Sequence, residues 1–349
     1  MTTYIGIDLH KRTQTWVALA ENGKDILFTK EFPVTPEGVR SGIKLSQKCG
    51  DTMVVAIEPT CGWMWVVPLL RSCGMDVHIS NPRKVKAIAD SLQKTDENDA
   101  TILAQLVRTG IMHESREVTP EIQKLRALIR ERVFLVRVRA SMKTRLEGIV
   151  TRNGRHRIAG SLSTKKGKVA IIESGEQEWR RSLGTIADVG KYITQLDLEI
   201  ATYAKEKIPT LLMTLPGVGP VTAVSMWAEV GDYTKFPSPE KLCAFAGLVP
   251  TERSSGGVQR LGHITRAGST ILRYVLVEAA MRVRDTDTTS VLYEFYKTIK
   301  TKRSAMRARV ALARKILTIS WYMVKKGEAY QQRFTVSKVE PFPVENKIA

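Results

Sequence analysis

Apolar residues enter this chain in short blocks separated by a few polar positions. Tyr4-Ile5-Gly6-Ile7-Asp8, Thr15–Ala20 and Ile26–Phe32 follow one another closely and predict three neighbouring strands. Pro36 then begins a helix running towards Cys49. Met53–Glu58 is apolar almost without interruption, the pattern of a strand covered on both faces. A helix through Trp63–Cys73 ends at Gly74, Met75–Ser80 predicts another short strand, and Pro82 stands at a helix start. Asp96–Arg108 predicts a further helix, stopped by Gly110.

A three-strand meander followed by alternating helices and strands is the element order of an RNase H-like α/β fold, and it fills residues 1–115. The rhythm then changes. Within 116–207, Ile122, Leu125, Ile129, Val133, Val136 and Ala140 keep helical spacing, with Arg126, Arg130, Arg132, Arg137 and Arg139 between them. Past a polar, glycine-containing break from Asn153 to Gly175, six residues recur in alternating steps of three and four: Ile186, Val189, Ile193, Leu196, Ile200 and Tyr203. That is a heptad seam. Two long helices forming an antiparallel coiled-coil arm fit it, as does an ordinary helical subdomain. Residues 208–327 predict a third, mainly helical unit with Gly-rich turns, ending in a basic helix. The tail, 328–349, contains Pro341 and Pro343, has no periodicity and is expected to be extended or disordered.

A chain of 349 residues can bury one large core or two to three smaller ones, and 43% hydrophobic with 26% charged residues is ordinary for a folded protein. The formal net charge of +19 is not ordinary and points to a polyanion, with nucleic acid the first candidate. A generally basic, solvated surface is the plain alternative. The four cysteines form no C-x-x-C pair and the five histidines no H-E-x-x-H spacing, which argues against structural zinc and a disulfide framework. Free thiols in a reducing cytoplasm are the expectation. The chain starts directly in a strand, without the charged and apolar regions of a signal peptide. Met64–Leu70 is too short to span a bilayer and contains Pro68, so a cytoplasmic protein without a membrane partner is expected.

Four carboxylates stand out by position. Asp8 and Glu58 end two apolar strands, and Asp96 and Asp99 lie three residues apart at the start of a helix, hence on one face of it. If the strands run side by side, all four meet at one edge of the sheet. Like charges about 4 Å apart repel by about 4 kcal/mol per pair at an effective dielectric of about 20. Such a cluster calls for a cation, and a hard oxygen-rich site selects Mg²⁺, with Mn²⁺ as the alternative. Two such ions would clamp the attacking and leaving oxygens of a phosphoryl transfer. Each acid alone has a plainer reading. A Gly-Ile-Asp strand also opens actin-like sugar kinases, Asp96 could serve the helix dipole, and Glu58 before Pro59 could simply end a strand.

In the third unit, Leu215-Pro216-Gly217-Val218-Gly219-Pro220 joins two apolar helices like the turn of a helix-hairpin-helix motif. Gly217 and Gly219 would let backbone approach a phosphate, and the following helix N-terminus would present free N–H groups. A plain αα-turn is the alternative. Further on, Thr251-Glu252-Arg253-Ser254-Ser255-Gly256-Gly257 sets paired serines on a flexible backbone. Arg253, Arg260, Arg266 and Arg273 follow as candidate phosphate ligands. An activated serine there could attack a phosphodiester. In the last helical region Arg303, Arg307 and Arg314 belong to a basic face expected to track a nucleic-acid backbone.

Taken together, Gly6-Ile7-Asp8, Ile57-Glu58-Pro59-Thr60, Asn81-Pro82, Lys94-Thr95-Asp96-x-x-Asp99-Ala100, Leu215-Pro216-Gly217-Val218-Gly219 and Gly247-Leu248-Val249-Pro250 through Ser255-Gly256 closely resemble the DEDD transposases of bacterial insertion sequences, the insertion-sequence-110 family. The resemblance covers about 1–115 and 205–325. It implies a RuvC-like domain whose four acidic residues fall on Asp8, Glu58, Asp96 and Asp99. It also implies a C-terminal transposase domain whose catalytic serine falls on Ser255, with Ser254 as its tandem neighbour. The implied activity is recombination that excises and inserts an element, guided by a noncoding bridge RNA that pairs with donor and target DNA. With acids and serine in separate domains, the expected assembly is a homo-oligomer, dimer or tetramer. The rival readings are a metal-dependent RuvC-like nuclease in which Ser255 is incidental, a non-catalytic nucleic-acid-binding protein, and an actin-like kinase, for which the second half offers no adenosine-binding glycine motif.

Overall fold

The computed structural model describes residues 1–60, 62–82, 85, 95–112, 114–115, 119–155, 162, 164–252, 261–286 and 289–331. Most of the helix expected to start at Pro82 and most of the 328–349 tail lie outside these residues. The chain divides into two compact units, Met1–Glu117 and Val118–Ala349.

The first unit is built on a mixed five-stranded sheet in the order β3-β2-β1-β4-β5. Strands β1 (Thr2–Leu9), β2 (Thr13–Leu19) and β3 (Ile26–Pro33) form the antiparallel meander. β4 (Thr52–Ile57) and β5 (Asp76–Ile79) add parallel to β1 in turn. The helices α1 (Pro36–Ser46) and α2 (Trp63–Ser72) supply the crossovers that parallel pairing requires. Ile5, Ile7 and Leu9 point to the face these two helices cover, packing with Val39, Ile43, Val66 and Leu70. The opposite face takes α3 (Asp96–Arg108), whose Ala100 and Ala104 pack on Val17 and Leu19. Two small residues one turn apart let this helix lie close to the strands.

The second unit is mainly helical. α4 (Pro120–Arg152), α5 (Lys165–Glu173) and α6 (Gln177–Thr202) form an arm. α4 and α6 are antiparallel: Leu125 and Ile129 cluster with Ile200, while Leu146 and Val150 cluster with Ile186 and Trp179 at the other end. Arg132 pairs with Asp197 between the two ends. Of the expected seam, Ile186, Ile193, Leu196 and Ile200 are buried. Then follow α7 (Lys207–Leu212), α8 (Pro220–Val230), α9 (Pro239–Phe245), a hairpin of β6 (Pro250–Glu252) and β7 (Leu261–Ile264), α10 (Thr270–Thr286), α11 (Val291–Lys302) and α12 (Ala305–Lys326).

The last helix differs from the basic surface helix expected of it. Beyond its first two turns α12 is the centre of this unit's core, with Leu312, Ile316, Leu317 and Trp321 buried. Apolar and small side chains surround it on almost every side there, and such a helix must be covered. Lys315 is drawn in with it, its Nζ 4.2 Å from the centre of the Phe295 ring. No helix among the described residues is long and apolar enough to cross a membrane.

Candidate metal centre

The sheet register brings two of the acids together. β1 and β4 run parallel with Ile7 beside Ile57, so the next residues, Asp8 and Glu58, leave the sheet side by side. The turn after Glu58 is tied down from both directions: Thr60 N–H donates to the Glu58 carbonyl at 2.8 Å, and the Thr60 hydroxyl donates to the Leu9 carbonyl. This accounts for the Glu-Pro-Thr sequence as a strand end pinned to its neighbour.

The other two acids arrive on α3. Thr95 caps this helix, its Oγ1 accepting from Asn98 N–H at 3.2 Å, and Asp96, Glu97 and Asp99 fill the first turn, where the helix dipole favours negative charge. Gly6 is what lets the helix come so close. A Cβ on residue 6 would lie 1.8 Å from the Ala100 carbonyl oxygen, far inside contact distance. Glycine two residues before Asp8 is therefore a spacing device that sets the start of α3 over the end of β1.

The electrostatics record the convergence. Asp8 is buried, with a side chain only 4% exposed, and its pKa is pushed up to about 6. Burial is the main cause. His10 opposes it, while Asp96, Glu58 and Asp99 each push further up, so Asp8 feels the charge of each of the other three acids. His10 Nε2 stands between two of them, 3.1 Å from Asp8 Oδ2 and 3.2 Å from Asp96 Oδ1. Burial lowers the His10 pKa, but Asp8 and Asp96 outweigh it and the net shift is upward. The approach to Asp8 is an ionic contact rather than a directed hydrogen bond, since Asp8 Oδ2 is buried with no hydrogen-bond partner. Ligand atoms of Asp8, His10 and Asp96 all lie within 4.8 Å of one another.

This donor set fits a divalent cation. A buried carboxylate oxygen without a partner, surrounded by further carboxylates, has a deficit of positive charge that an imidazolium meets only in part. Oxygen donors of this kind suit Mg²⁺ or Mn²⁺, and an imidazole in the set tilts the choice towards Mn²⁺. His10 was not among the candidates read from the sequence. Rules of ligand spacing see partners that are near in the chain, and the partner here, Asp96, comes from a distant helix. The available signal was the Asp8-Leu9-His10 alternation, which puts both side chains on one side of a strand end.

In the second unit, Arg253, Ser254, Ser255 and Arg260 lie outside the described residues. The frame around them is described. Gly247 has φ +67° and a Cβ there would lie 2.1 Å from the Ala267 carbonyl oxygen; Gly268 has φ +91° and abuts the Phe245 carbonyl. Both glycines weld the exit of α9 to the segment after β7. Between them Arg266, exposed, is the non-glycine residue with positive φ among the described residues, at 52°. Its backbone is held there by the N–H donated to Gly247 O at 3.2 Å. Arg273 directs Nη1 to the carbonyls of Ala246 and Ala267 at 2.9 and 3.3 Å, so part of its fork is spent on this frame. Glu229, buried at the end of α8, accepts from the Ser269 hydroxyl at 2.6 Å, and Ser269 in turn accepts from Leu272 N–H.

Gly217 has φ +77° and faces inward: a Cβ there would lie 2.5 Å from the Ala279 carbonyl of α10. Internal packing thus accounts for this glycine. Gly219 faces the Arg282 guanidinium at 3.3 Å. Arg303 and Arg307 are exposed near the start of α12, and Arg314 is half-buried.

Comparison with known proteins places these features in context. Residues 5–153 match the DEDD transposase model of the IS110 group, which runs from β1 through α4. Residues 209–297 match the transposase model of the IS116/IS110/IS902 family. Among similar proteins is the transposase for insertion sequence element IS1111A of Coxiella burnetii, 26% identical, with 94% of this chain and 91% of that protein aligned. A pilin gene-inverting protein of Moraxella bovis is 27% identical over 95% of this chain and 98% of its own. A probable family 20 transposase of Pseudomonas aeruginosa is 28% identical over 75% and 81%.

Proposed function

Because the chain belongs to the IS110 family of transposases, with an RNase H-like DEDD domain followed by the family's second transposase domain, we propose that it cuts and rejoins DNA by metal-assisted transesterification with Ser255 as the nucleophile. It is an enzyme of DNA transposition; the residue roles and partners below are the reading that fits best.

The observation that supports the reading is Asp8, whose buried oxygen has no hydrogen-bond partner, which lies with His10 and Asp96 within reach of one ion and feels the charges of Glu58 and Asp99. These four side chains, joined by His10, would hold Mg²⁺ or Mn²⁺. When bound, the cation supplies charge neutralisation at the scissile phosphate and lowers the pKa of a hydroxyl beside it. The acids hold their positions by strand register and the Thr95 cap, so little reorganisation is needed at reaction. Ser255 Oγ forms a bond to phosphorus as the bridging P–O bond breaks. The serine proton passes to a base in the site, and the departing deoxyribose oxygen leaves as a hydroxyl. The DNA end stays linked as a phosphoserine ester. Attack by another strand's hydroxyl reverses the exchange and releases the serine, so phosphodiester bonds are conserved without a nucleotide cofactor.

Arg253, Arg260, Arg266 and Arg273 around the serine loop, with Arg303, Arg307 and Arg314, are proposed to engage phosphates, and the turn at Gly217 and Gly219 to approach the backbone. The reading requires the serine loop to reach the acids, within one copy or between copies of a homo-oligomer in which the α4–α6 arm acts as a coiled coil. The printed name of the Moraxella bovis relative, a gene-inverting protein, supports a recombinase that rejoins what it cuts. Guidance by a noncoding bridge RNA is proposed from the family resemblance, and sequencing the RNA that copurifies with the protein tests it.

The deciding experiment incubates the protein with labelled donor DNA and Mg²⁺ and resolves the products under denaturing conditions. A covalent protein–DNA adduct, lost in Ser255→Ala and kept in Ser254→Ala, supports the proposal. Cleavage without an adduct, unaffected by Ser255→Ala, favours the second reading, a RuvC-like nuclease. That reading is favoured by the gathering of all four acids within the first unit alone.

A further inference from the structure

The arm contains a trough of about 700 Å³ between α4, α5 and α6. Its floor is apolar, with Leu146 of α4 and Ile186 of α6 forming part of the small core that closes this end of the arm. Its rim is cationic: Arg139 and Lys143 stand one turn apart on α4, Lys168 comes from α5, and no carboxylate lines it among the described residues. Lys191, which also lines the trough, is paired with Asp188, whereas Arg139, Lys143 and Lys168 form no ion pair among the described residues.

Two glycines of α6, Gly184 and Gly190, open onto this trough. A Cβ at 184 would meet nothing within 4 Å, and one at 190 would meet only the Arg139 guanidinium at 3.8 Å. Packing therefore asks for neither glycine, although each costs a helix interior about 1 kcal/mol relative to alanine. Their effect is to keep the trough wide where the cations face it.

A cationic rim without acids calls for a polyanion, and an apolar floor calls for something besides phosphate. A duplex presents its sugar-phosphate backbone and, in its grooves, base edges, while the faces of its bases are stacked within. An unpaired strand offers phosphates to Arg139, Lys143 and Lys168 and base faces to the aliphatic floor and the guanidinium plane. The α6 lining from Leu183 to Thr194 is about 16 Å long at a rise of ~1.5 Å per residue, enough for a few nucleotides. We propose that this trough seats an unpaired segment of a nucleic-acid strand. The proposal rests on the reading that the chain acts on nucleic acid, and RNA and DNA offer the same chemistry.

The test uses the full-length protein, labelled oligouridylate, oligothymidylate and a blunt DNA duplex, with affinities read by fluorescence anisotropy at one salt concentration. Gly190→Leu fills the trough while improving helix propensity, Lys143→Glu reverses its rim charge, and Lys48→Glu, exposed on the first unit, is the charge control. Both trough variants should bind single strands about tenfold more weakly, as expected for losing one stacked base, while Gly190→Leu leaves duplex affinity within about twofold. Lys48→Glu should not reproduce the selective loss. A loss with oligouridylate alone assigns the trough to RNA, with oligothymidylate alone to DNA, and with both to either strand. Unchanged strand affinity in Gly190→Leu, or equal weakening for duplex, overturns the proposal. So does a change of molar mass by light scattering with affinity intact, which would assign the trough to a second copy of the chain. A parent protein that binds no nucleic acid at all would instead count against the nucleic-acid reading itself.

Discussion

Replacing Asp8 with asparagine should stabilise the metal-free protein while removing its response to divalent cations. The folded-state pKa of about 6 lies above the ordinary 3.8, so the native state holds this proton more tightly than the unfolded chain. The contribution of Asp8 to stability is therefore fully present below pH 4, falls as pH rises from about 4 through 6, and is lost above that range. The difference of about 2 pKa units corresponds to about 3 kcal/mol at 1.36 kcal/mol per unit. His10 shifts the same way: its raised pKa gives stabilisation that is present below pH 6.5 and is lost as pH rises through the folded value. Asparagine removes the buried charge but leaves a polar amide where Asp8 Oδ2 has no hydrogen-bond partner, which returns about 1–2 kcal/mol. The net gain at pH 8 is about 1–2 kcal/mol, or a rise of about 3–8 °C in melting temperature for a unit of this size. Calorimetric melting in chelator at pH 8 and pH 4.5, then at pH 8 with Mg²⁺, measures it. The variant should melt higher in chelator at pH 8, match the parent at pH 4.5, and gain nothing from Mg²⁺ where the parent gains. A variant that melts lower than the parent at every pH in chelator would refute the reasoning, because Asp8 would then be a satisfied structural acid.

Three further outcomes follow from particular contacts. Gly6→Ala puts a methyl group 1.8 Å from the Ala100 carbonyl oxygen, so α3 must move; denaturant titration should show a loss of about 1–3 kcal/mol together with weaker Mn²⁺ binding, and an unchanged protein would show that α3 has room to spare. Lys315→Met replaces a buried ammonium, whose pKa burial pulls down, by an apolar chain of similar length; the urea midpoint should hold or rise, by about 1 kcal/mol, and a loss above ~2 kcal/mol would mean that the contact with Phe295 needs the charge. Glu229→Leu and Ser269→Ala should each cost about 1–3 kcal/mol and their double variant less than the sum, since the contact between them is lost in all three while Ser269→Ala also gives up the acceptor of Leu272 N–H; full additivity in the urea titration would contradict a shared contact.

Much of the first unit could be read from the chain because its signals are local. Strand ends at Asp8 and Glu58 follow from apolar runs, and the start and stop of α3 follow from Thr95, the acids of its first turn and Gly110. The element order then fixes the RNase H-like sheet. What the chain hid depends on which face another element covers. The sequence offered Leu312, Ile316, Leu317 and Trp321 as the apolar positions of α12 beside a basic face, but not how far burial extends around the helix, to Ala313, Ile319 and Met323. Nor did the chain show that Gly217 is also pressed against the Ala279 carbonyl, or that part of the Arg273 fork braces the Ala246 and Ala267 carbonyls. His10 escaped notice because its meaning comes from Asp96, which only the folded sheet edge brings to it.

Calorimetric titration of Mn²⁺ into the metal-free protein addresses the proposed metal centre most directly, without depending on DNA, RNA or the serine. Saturable binding that is abolished by Asp8→Asn and sharply weakened by Glu58→Gln, Asp96→Asn or Asp99→Asn is the predicted result. Undiminished binding in all four variants would place the cation elsewhere and leave these carboxylates without the role given to them.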